Sequence, residues 1–182
     1  MKKLAVLFPG IGYHVDKPLL YYGAKLAKQY DFEIVEVKYG EFPENIQGSK
    51  EKIQEAVWRG IIFAENSLKE VRFEKYDEVV FISKSIGTAI AVEFAKKYAI
   101  LAKQIMYTPL LETFNCESLV GIVIHGTNDP WAETTRIENE CRRLNLPLLL
   151  IPNSNHSLEL GNVIEDIKNL NKIMEFTEKY LC

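Results

Sequence analysis

The sequence lacks the features that mark several classes of protein. Its three cysteines, Cys116, Cys141 and Cys182, show no C-x-x-C spacing, so we expect reduced thiols rather than a disulfide framework or a zinc site. No apolar run approaches the roughly 20 residues that cross a bilayer, and the N-terminal run Leu4–Phe8 is shorter than the apolar part of a secretory signal. The net charge of −3 gives no electrostatic reason to expect nucleic acid. These absences favour a cytoplasmic protein that binds neither nucleic acid nor membrane.

Glycine patterns that bind phosphate are also missing. The segment just before Lys84 contains no glycine, so the chain has no Walker motif. The first loop offers Gly10 and Gly12, but Val15 stands where a dinucleotide fingerprint needs its third glycine. A phosphate site at the amides of Ser83–Thr88 is therefore only a weaker alternative.

Short apolar segments alternate with longer amphipathic ones along all 182 residues. This alternation predicts an α/β fold, a three-layer sandwich in which helices cover both faces of a parallel sheet. No linker or repeat interrupts it, so a single domain spanning 1–182 is expected. The predicted strands are Leu4–Phe8, Phe32–Tyr39, Glu78–Ile82, Gln104–Tyr107, Gly121–His125 and Pro147–Ile151. The predicted helices are Lys17–Gln29, Lys50–Val71, Ile86–Tyr98, Ala132–Leu144 and Val163–Leu181.

Ser85 stands where an apolar run gives way to small residues and then to a helical pattern. That order predicts a strand, a sharp turn and a helix, with the serine at the apex. A nucleophile elbow has this arrangement, and its usual signature is G-x-S-x-G. Ser83 takes the first position here, and serine is nearly as small as glycine. The alternative is that Ser85 caps the following helix, a frequent role of serine.

Two other loops supply the residue types that a serine nucleophile needs. Asp129 follows the fifth predicted strand, and His156 follows the sixth. The carboxyl ends of parallel strands meet at one edge of a sheet, so these side chains should lie near Ser85. His156 would act as the base and Asp129 would orient its imidazole. Taken singly, Asp129 could be a turn residue before Pro130, and His156 could cap the last helix.

The loop after the first strand is suited to hold a developing oxyanion. The backbone N–H of Ile11 or Gly12 is one predicted donor, and the N–H of Ile86, directly after the serine, is the second.

Several further side chains are candidates for the rim of the site. Tyr13, His14 and Trp131 are predicted pocket residues, although aromatics near strand ends also serve as packing. His14 and His125 compete with His156 as the base, and His125 at a strand end is expected to be a packed histidine. Lys84 is predicted to be a surface residue that could meet an anionic substrate.

The chain resembles a compact α/β-hydrolase over almost its whole length. The likeness rests on Pro9–Gly12, Ser83–Gly87, Gly126–Pro130 and Asn155–His156, and Gly-Thr-x-Asp-Pro is similar to a segment of small dienelactone-hydrolase-like proteins. The resemblance implies a minimal α/β-hydrolase fold that lacks the first two strands, with strand order 2-1-3-4-5-6, no cap domain and an open site. Dienelactone hydrolases use a cysteine nucleophile, so Ser85 does not imply their specific activity.

These observations predict a serine hydrolase with the triad Ser85, Asp129 and His156. Its substrate would be a small carboxylic ester or thioester, cleaved through an acyl-enzyme with no metal and no organic cofactor. A non-catalytic hydrolase-like protein that binds a ligand or partner is the main alternative, and the phosphate-binding module is the weaker one.

Overall fold

Six strands pair side by side into one parallel sheet in the computed structural model, which describes residues 1–182. Their order is β2-β1-β3-β4-β5-β6, which confirms the predicted order and fold class. The apolar runs of the central strands follow from this arrangement, because helices cover both faces. The strands are β1 (Lys3–Phe8), β2 (Phe32–Glu36), β3 (Glu78–Lys84), β4 (Lys103–Tyr107), β5 (Gly121–Gly126) and β6 (Leu148–Ile151).

Five helices form the outer layers. They are α1 (Pro18–Gln29), α2 (Lys50–Leu68), α3 (Ile86–Lys97), α4 (Thr134–Arg143) and α5 (Val163–Leu181). Helices α1 and α5 pack on the sheet face that carries Val80 and Ile82, and α2 and α3 pack on the face that carries Val79 and Phe81. Two short 3-10 helices, Phe73–Lys75 and Leu111–Phe114, were not predicted. None of the helices is both long enough and apolar enough to cross a membrane.

Strand β2 ends at Glu36, earlier than the predicted Tyr39. It lies at the sheet edge and pairs only with β1. The last pairing joins Leu7 to Glu36, and β1 ends just before Pro9, which has no amide to continue the ladder. The alternating pattern of Phe32–Tyr39 therefore runs past the end of β1, and its last residues have no strand to pair with.

Strand β3 is longer than predicted because both of its neighbours still pair with it at its end. Phe8 of β1 lies opposite Ser83, and Tyr107 of β4 lies opposite Lys84. Lys84 is consequently enclosed and only 1% exposed. The prediction that Lys84 lies on the surface is wrong. The residue ends a central strand, with its backbone paired to Tyr107 of β4 and its side chain against the ring of Tyr13, so the usual exposure of lysine does not hold here.

Gly87, the second residue of α3, lets this helix approach the end of β1. A Cβ atom there would collide with the carbonyl oxygens of Phe8 and Pro9. Both obstacles are backbone atoms that the sheet holds in place, so a side chain could be admitted only by moving the helix.

We expect Gly87→Ala to lower the free energy of unfolding by about 1–3 kcal/mol through this overpacking, measured by urea denaturation. Gly23→Ala is the matched control, since its Cβ would meet only the side chains of Tyr107 at 3.3 Å and Ile82 at 3.4 Å. Replacing glycine by alanine in a helix gains less than about 1 kcal/mol of helix propensity, so the free energy of unfolding of Gly23→Ala should stay close to the native value. Equal losses in the two variants would contradict the backbone collision.

Candidate active site

Ser85 connects β3 to α3 in a backbone conformation that is rare for a residue with a side chain. Its φ is 57° and its ψ is −127°. An N-cap residue normally has extended backbone angles and accepts a bond from the helix, whereas the side chain of Ser85 accepts none. The Ser85 amide donates to the carbonyl of Tyr107 at 3.0 Å. The sharp turn is thus tied to β4 and leaves the hydroxyl free for other partners.

Asp129 is held in the loop after β5 and is 8% exposed. Its Oδ1 accepts the amide of Trp131 at 2.9 Å, as in the turn that sequence reasoning offered as an alternative. This bond leaves Oδ2 for a second partner. Gly126, at the end of β5, allows the loop after β6 to come close, since a Cβ there would lie 2.6 Å from Ser154 Oγ and 2.7 Å from the carbonyl of Asn155.

His156 bridges the other two side chains. Its Nδ1 lies 2.7 Å from Asp129 Oδ2, and its Nε2 lies 2.7 Å from Ser85 Oγ. A carboxylate can only accept, so Nδ1–H donates to Asp129; Nε2 of the neutral ring is then the acceptor for the serine hydroxyl. The hydroxyl of Thr108 donates to the His156 carbonyl at 3.1 Å and helps to hold the loop. Helix α5 is capped by Asn162 rather than by His156.

The first loop lies directly against the serine turn. A Cβ on Gly10 would lie 3.1 Å from the Cβ of Ser85. Gly10 and Tyr13 exchange backbone hydrogen bonds of 3.1 and 3.2 Å, which close the loop, and the amides of Ile11 and Gly12 donate to no group in the chain. Ile86 opens α3, where the first amides have no acceptor one turn earlier in the helix. These amides are free to bind an anion.

No protein-family model and no curated protein matches this chain, but solved structures do. A lidless member of the α/β serine hydrolases from Xanthomonas campestris shares 10% identity, with a TM-score of 0.64 and coverage of 98% of this chain and 82% of that one. Est1E from Butyrivibrio proteoclasticus, solved with ferulic acid, shares 12% identity, with a TM-score of 0.69 and coverage of 98% and 88%. An α/β serine hydrolase homologue from Coxiella burnetii shares 11% identity, with a TM-score of 0.64 and coverage of 100% and 85%.

The chain has the α/β-hydrolase fold. Within that fold, Ser85, Asp129 and His156 occupy the loops after β3, β5 and β6, and all three lie at the carboxyl edge of the sheet where ligands of parallel sheets bind.

A cavity of about 880 Å³ opens beside this edge. It is lined by Gly10, Ile11, Gly12 and His14 of the first loop, by Trp131, and by the irregular segment after β2. The Trp131 ring stacks on the imidazole of His156, with ring centres 5.3 Å apart and planes inclined by 26°. The cavity therefore begins next to the serine–histidine pair.

Tyr13 is placed differently from the other predicted pocket residues. It is 6% exposed, and its oxygen accepts the amide of Leu19 at 3.2 Å. It lines a separate apolar cavity of about 210 Å³ between α1 and α5. Among the predicted pocket residues, His14 and Trp131 line the larger cavity and Tyr13 does not.

His156 is poised to be unprotonated near neutral pH. Burial lowers its pKa below the ordinary value of 6.5, the hydrogen bond that it donates to Asp129 opposes that effect, and the charge of Lys84 lowers the pKa further. A neutral imidazole with a free Nε2 lone pair is the form that can accept a proton from a hydroxyl group.

His125 is a second histidine that faces the same carboxylate. It is fully buried, its Nδ1 lies 3.8 Å from Asp129 Oδ2, and neither ring nitrogen makes a hydrogen bond in the chain. Burial lowers its pKa. The packed histidine that the sequence suggested thus lies beside the site, although only the fold reveals its proximity to Asp129.

No cluster of three or more His, Cys, Asp or Glu side chains is arranged to hold a metal ion.

Lys84 is the buried cation of the site. Its Nζ lies 5.0 Å from the centre of the Tyr13 ring, and no carboxylate pairs with it. Burial lowers its pKa from 10.5 to about 7, Asp129 partly opposes this effect, and Lys17 adds to it. The sequence did not reveal this burial, because nothing local distinguishes a buried lysine from an exposed one.

We expect Lys84→Met to stabilise the folded protein at and below neutral pH. Between pH 7 and 10.5 the unfolded chain holds a proton on this amine that the native chain lacks. The native protein therefore gains stability as pH rises through this window, by up to about 1.4 kcal/mol per pH unit, and it bears the full cost of the buried charge below pH 7.

Denaturant titrations from about pH 6 to about pH 9 check this expectation. The advantage of Lys84→Met over the native protein should be largest at the acidic end and shrink towards the alkaline end. Lys17→Met is the control, since the exposed Lys17 lies 5.3 Å from the same Tyr13 ring and should give no such trend. A constant difference for Lys84→Met would contradict the lowered pKa.

Proposed function

We propose that this chain is a serine hydrolase that cleaves a small carboxylic ester or thioester through an acyl-enzyme. The observation that carries the proposal is the continuous hydrogen-bonded series from Ser85 Oγ through His156 to Asp129, with both distances at 2.7 Å. A nucleophile, a base and a group that orients the base are thereby joined in the arrangement that nucleophilic catalysis requires.

In the acylation step, Ser85 Oγ attacks the substrate carbonyl carbon while its proton passes to His156 Nε2. Asp129 stabilises the imidazolium that forms. The N–H of Ile86 and that of Ile11 or Gly12 hold the negative oxygen of the tetrahedral intermediate. His156 then returns the proton to the leaving oxygen or sulfur as the bond from carbon to the leaving group breaks.

Deacylation repeats these steps with water. His156 takes a proton from the water molecule, the hydroxide attacks the acyl carbon, and the returning proton restores the Ser85 hydroxyl as the acid leaves. The cavity of about 880 Å³ that Gly10 and Trp131 line adjoins Ser85 and His156 and offers space for an acyl group and for water. The fold likeness to serine hydrolases and to Est1E, solved with ferulic acid, supports the same reaction class.

Labelling by a fluorophosphonate tests the proposal without knowledge of the natural substrate, because the probe reacts with activated serines. The native protein should be labelled, Ser85→Ala should not react, and His156→Ala should react at least about 10²-fold more slowly. Ser157→Ala is the matched control, since Ser157 neighbours His156 and its hydroxyl makes no hydrogen bond in the chain. An unlabelled native protein, or a labelled Ser85→Ala variant, would refute the proposed role of Ser85.

Asp129→Asn should lower kcat for hydrolysis by on the order of 10³-fold or more. An amide at this position favours the wrong imidazole tautomer, so Nε2 no longer accepts the serine proton. The measurement uses the best substrate from a panel of esters and thioesters of graded acyl length. Asp16→Asn, in the exposed first loop, should keep native activity, and full activity in Asp129→Asn would show that this carboxylate has no part in the reaction.

A further inference from the structure

Trp131 contacts both residues that activate the proposed nucleophile, and it does so with two different parts of its structure. Its backbone amide donates to Asp129 Oδ1 at 2.9 Å. Its indole ring stacks on the imidazole of His156, with ring centres 5.3 Å apart and planes inclined by 26°. Asp129 and His156 are joined to each other at 2.7 Å. The three residues therefore form a closed set of contacts around the base.

The indole is held in place by parts of the fold outside this set. It is partly buried and packs against the apolar layer that α2 and α3 form on the sheet. The carbonyl of its chain neighbour Pro130 accepts a hydrogen bond from the side-chain amide of Gln47 at 3.3 Å. The residue lines both the cavity of about 880 Å³ and a second cavity of about 820 Å³ beside α2. A ring fixed in this way can restrict the rotation of the imidazole that it covers.

The stack also acts on charge, because the imidazole becomes positive when it takes the proton of Ser85. The face of an indole ring is the negative part of its quadrupole, so it attracts a cation more strongly than a neutral ring. This attraction grows as water is removed, and only 19% of the His156 side chain is exposed. The contact is therefore stronger in the transition state than in the resting site, which is the condition for an interaction to raise the rate.

This inference rests on the proposed function. We propose that Trp131 is a positioning residue that acts through His156: its indole face holds the plane of the imidazole and stabilises the imidazolium that forms when Ser85 gives up its proton.

The titratable groups around the imidazole come from three parts of the fold. Asp129, in the loop after β5, favours the charged form of His156, and Lys84, at the end of β3, disfavours it. His125 of β5 lies 3.8 Å from the same carboxylate, and Glu159, further along the His156 loop, is exposed. Tryptophan has no titratable group, so an exchange at position 131 leaves all these charges unchanged.

The test compares Trp131→Phe with Trp131→Leu. Both side chains are apolar and smaller than tryptophan, and both variants keep the backbone amide that donates to Asp129, but only phenylalanine keeps an aromatic face. Trp131→Leu should react with the fluorophosphonate roughly three- to tenfold more slowly than Trp131→Phe. Trp58→Phe is the control, since Trp58 is 62% exposed on α2, and it should keep the native rate.

A second readout does not depend on activity. The protein has three histidines, and nuclear magnetic resonance titration of the imidazole nitrogens, assigned with His156→Ala, gives the midpoint of His156 directly. The midpoint should lie about half a pH unit lower in Trp131→Leu than in Trp131→Phe, because the charged ring has lost its aromatic partner. Trp131→Met takes the place of the leucine variant if that variant does not fold.

A third readout uses the native indole. Trp131 is the only tryptophan left in Trp58→Phe, since the chain has two, and a protonated imidazole quenches the fluorescence of an indole stacked on it. The emission should fall with decreasing pH at the midpoint of His156, and the added change His156→Ala should abolish this step.

Equal His156 midpoints in Trp131→Phe and Trp131→Leu, or emission without a step that depends on His156, overturn the inference, while labelling of the native protein leaves the proposed function intact. An unlabelled native protein refutes the proposed function. The two titrations then still decide whether the indole of Trp131 stabilises the charged imidazole.

Discussion

Strand β3 is hydrogen-bonded on both sides, to β1 and to β4, and the geometry of the site depends on this double pairing. The pairing continues to Lys84, so the chain must turn sharply at Ser85 to enter α3, and the Ser85 amide is bonded to Tyr107 of β4. Gly87 then brings the helix against the end of β1. The nucleophile candidate is therefore held by backbone contacts to two neighbouring strands rather than by its own loop.

The same region contains groups that the fold alone would not favour. Ser85 has a positive φ, Lys84 is a buried amine whose pKa burial lowers to about 7, and His125 is fully buried with both ring nitrogens unbonded. Backbone strain of this kind costs about 1–3 kcal/mol, and buried polar groups add to the cost. The apolar layers around Val80, Phe81 and Ile82 offset these costs.

Much of the fold could be predicted because its signals are local. The helical periodicity of Val163–Leu181 matches the observed bounds of α5, and the short apolar runs identify the strands of a parallel sheet. The ends of β2 and β3 could not be predicted in this way. Each depends on whether a neighbouring strand still offers hydrogen bonds, and no segment of sequence carries that information about its neighbour.

The sequence by itself determined which residue types follow which strands, and for a parallel sheet that suffices to bring Ser85, Asp129 and His156 to one edge. Only the tertiary structure decided that they meet within hydrogen-bonding distance, that His125 faces the same carboxylate, and that Lys84 is buried while Tyr13 turns away from the larger cavity. The physical reason is that chain order and periodicity act locally. Burial and charge coupling, by contrast, arise from side chains that are distant in the chain and become neighbours only when the loops pack together.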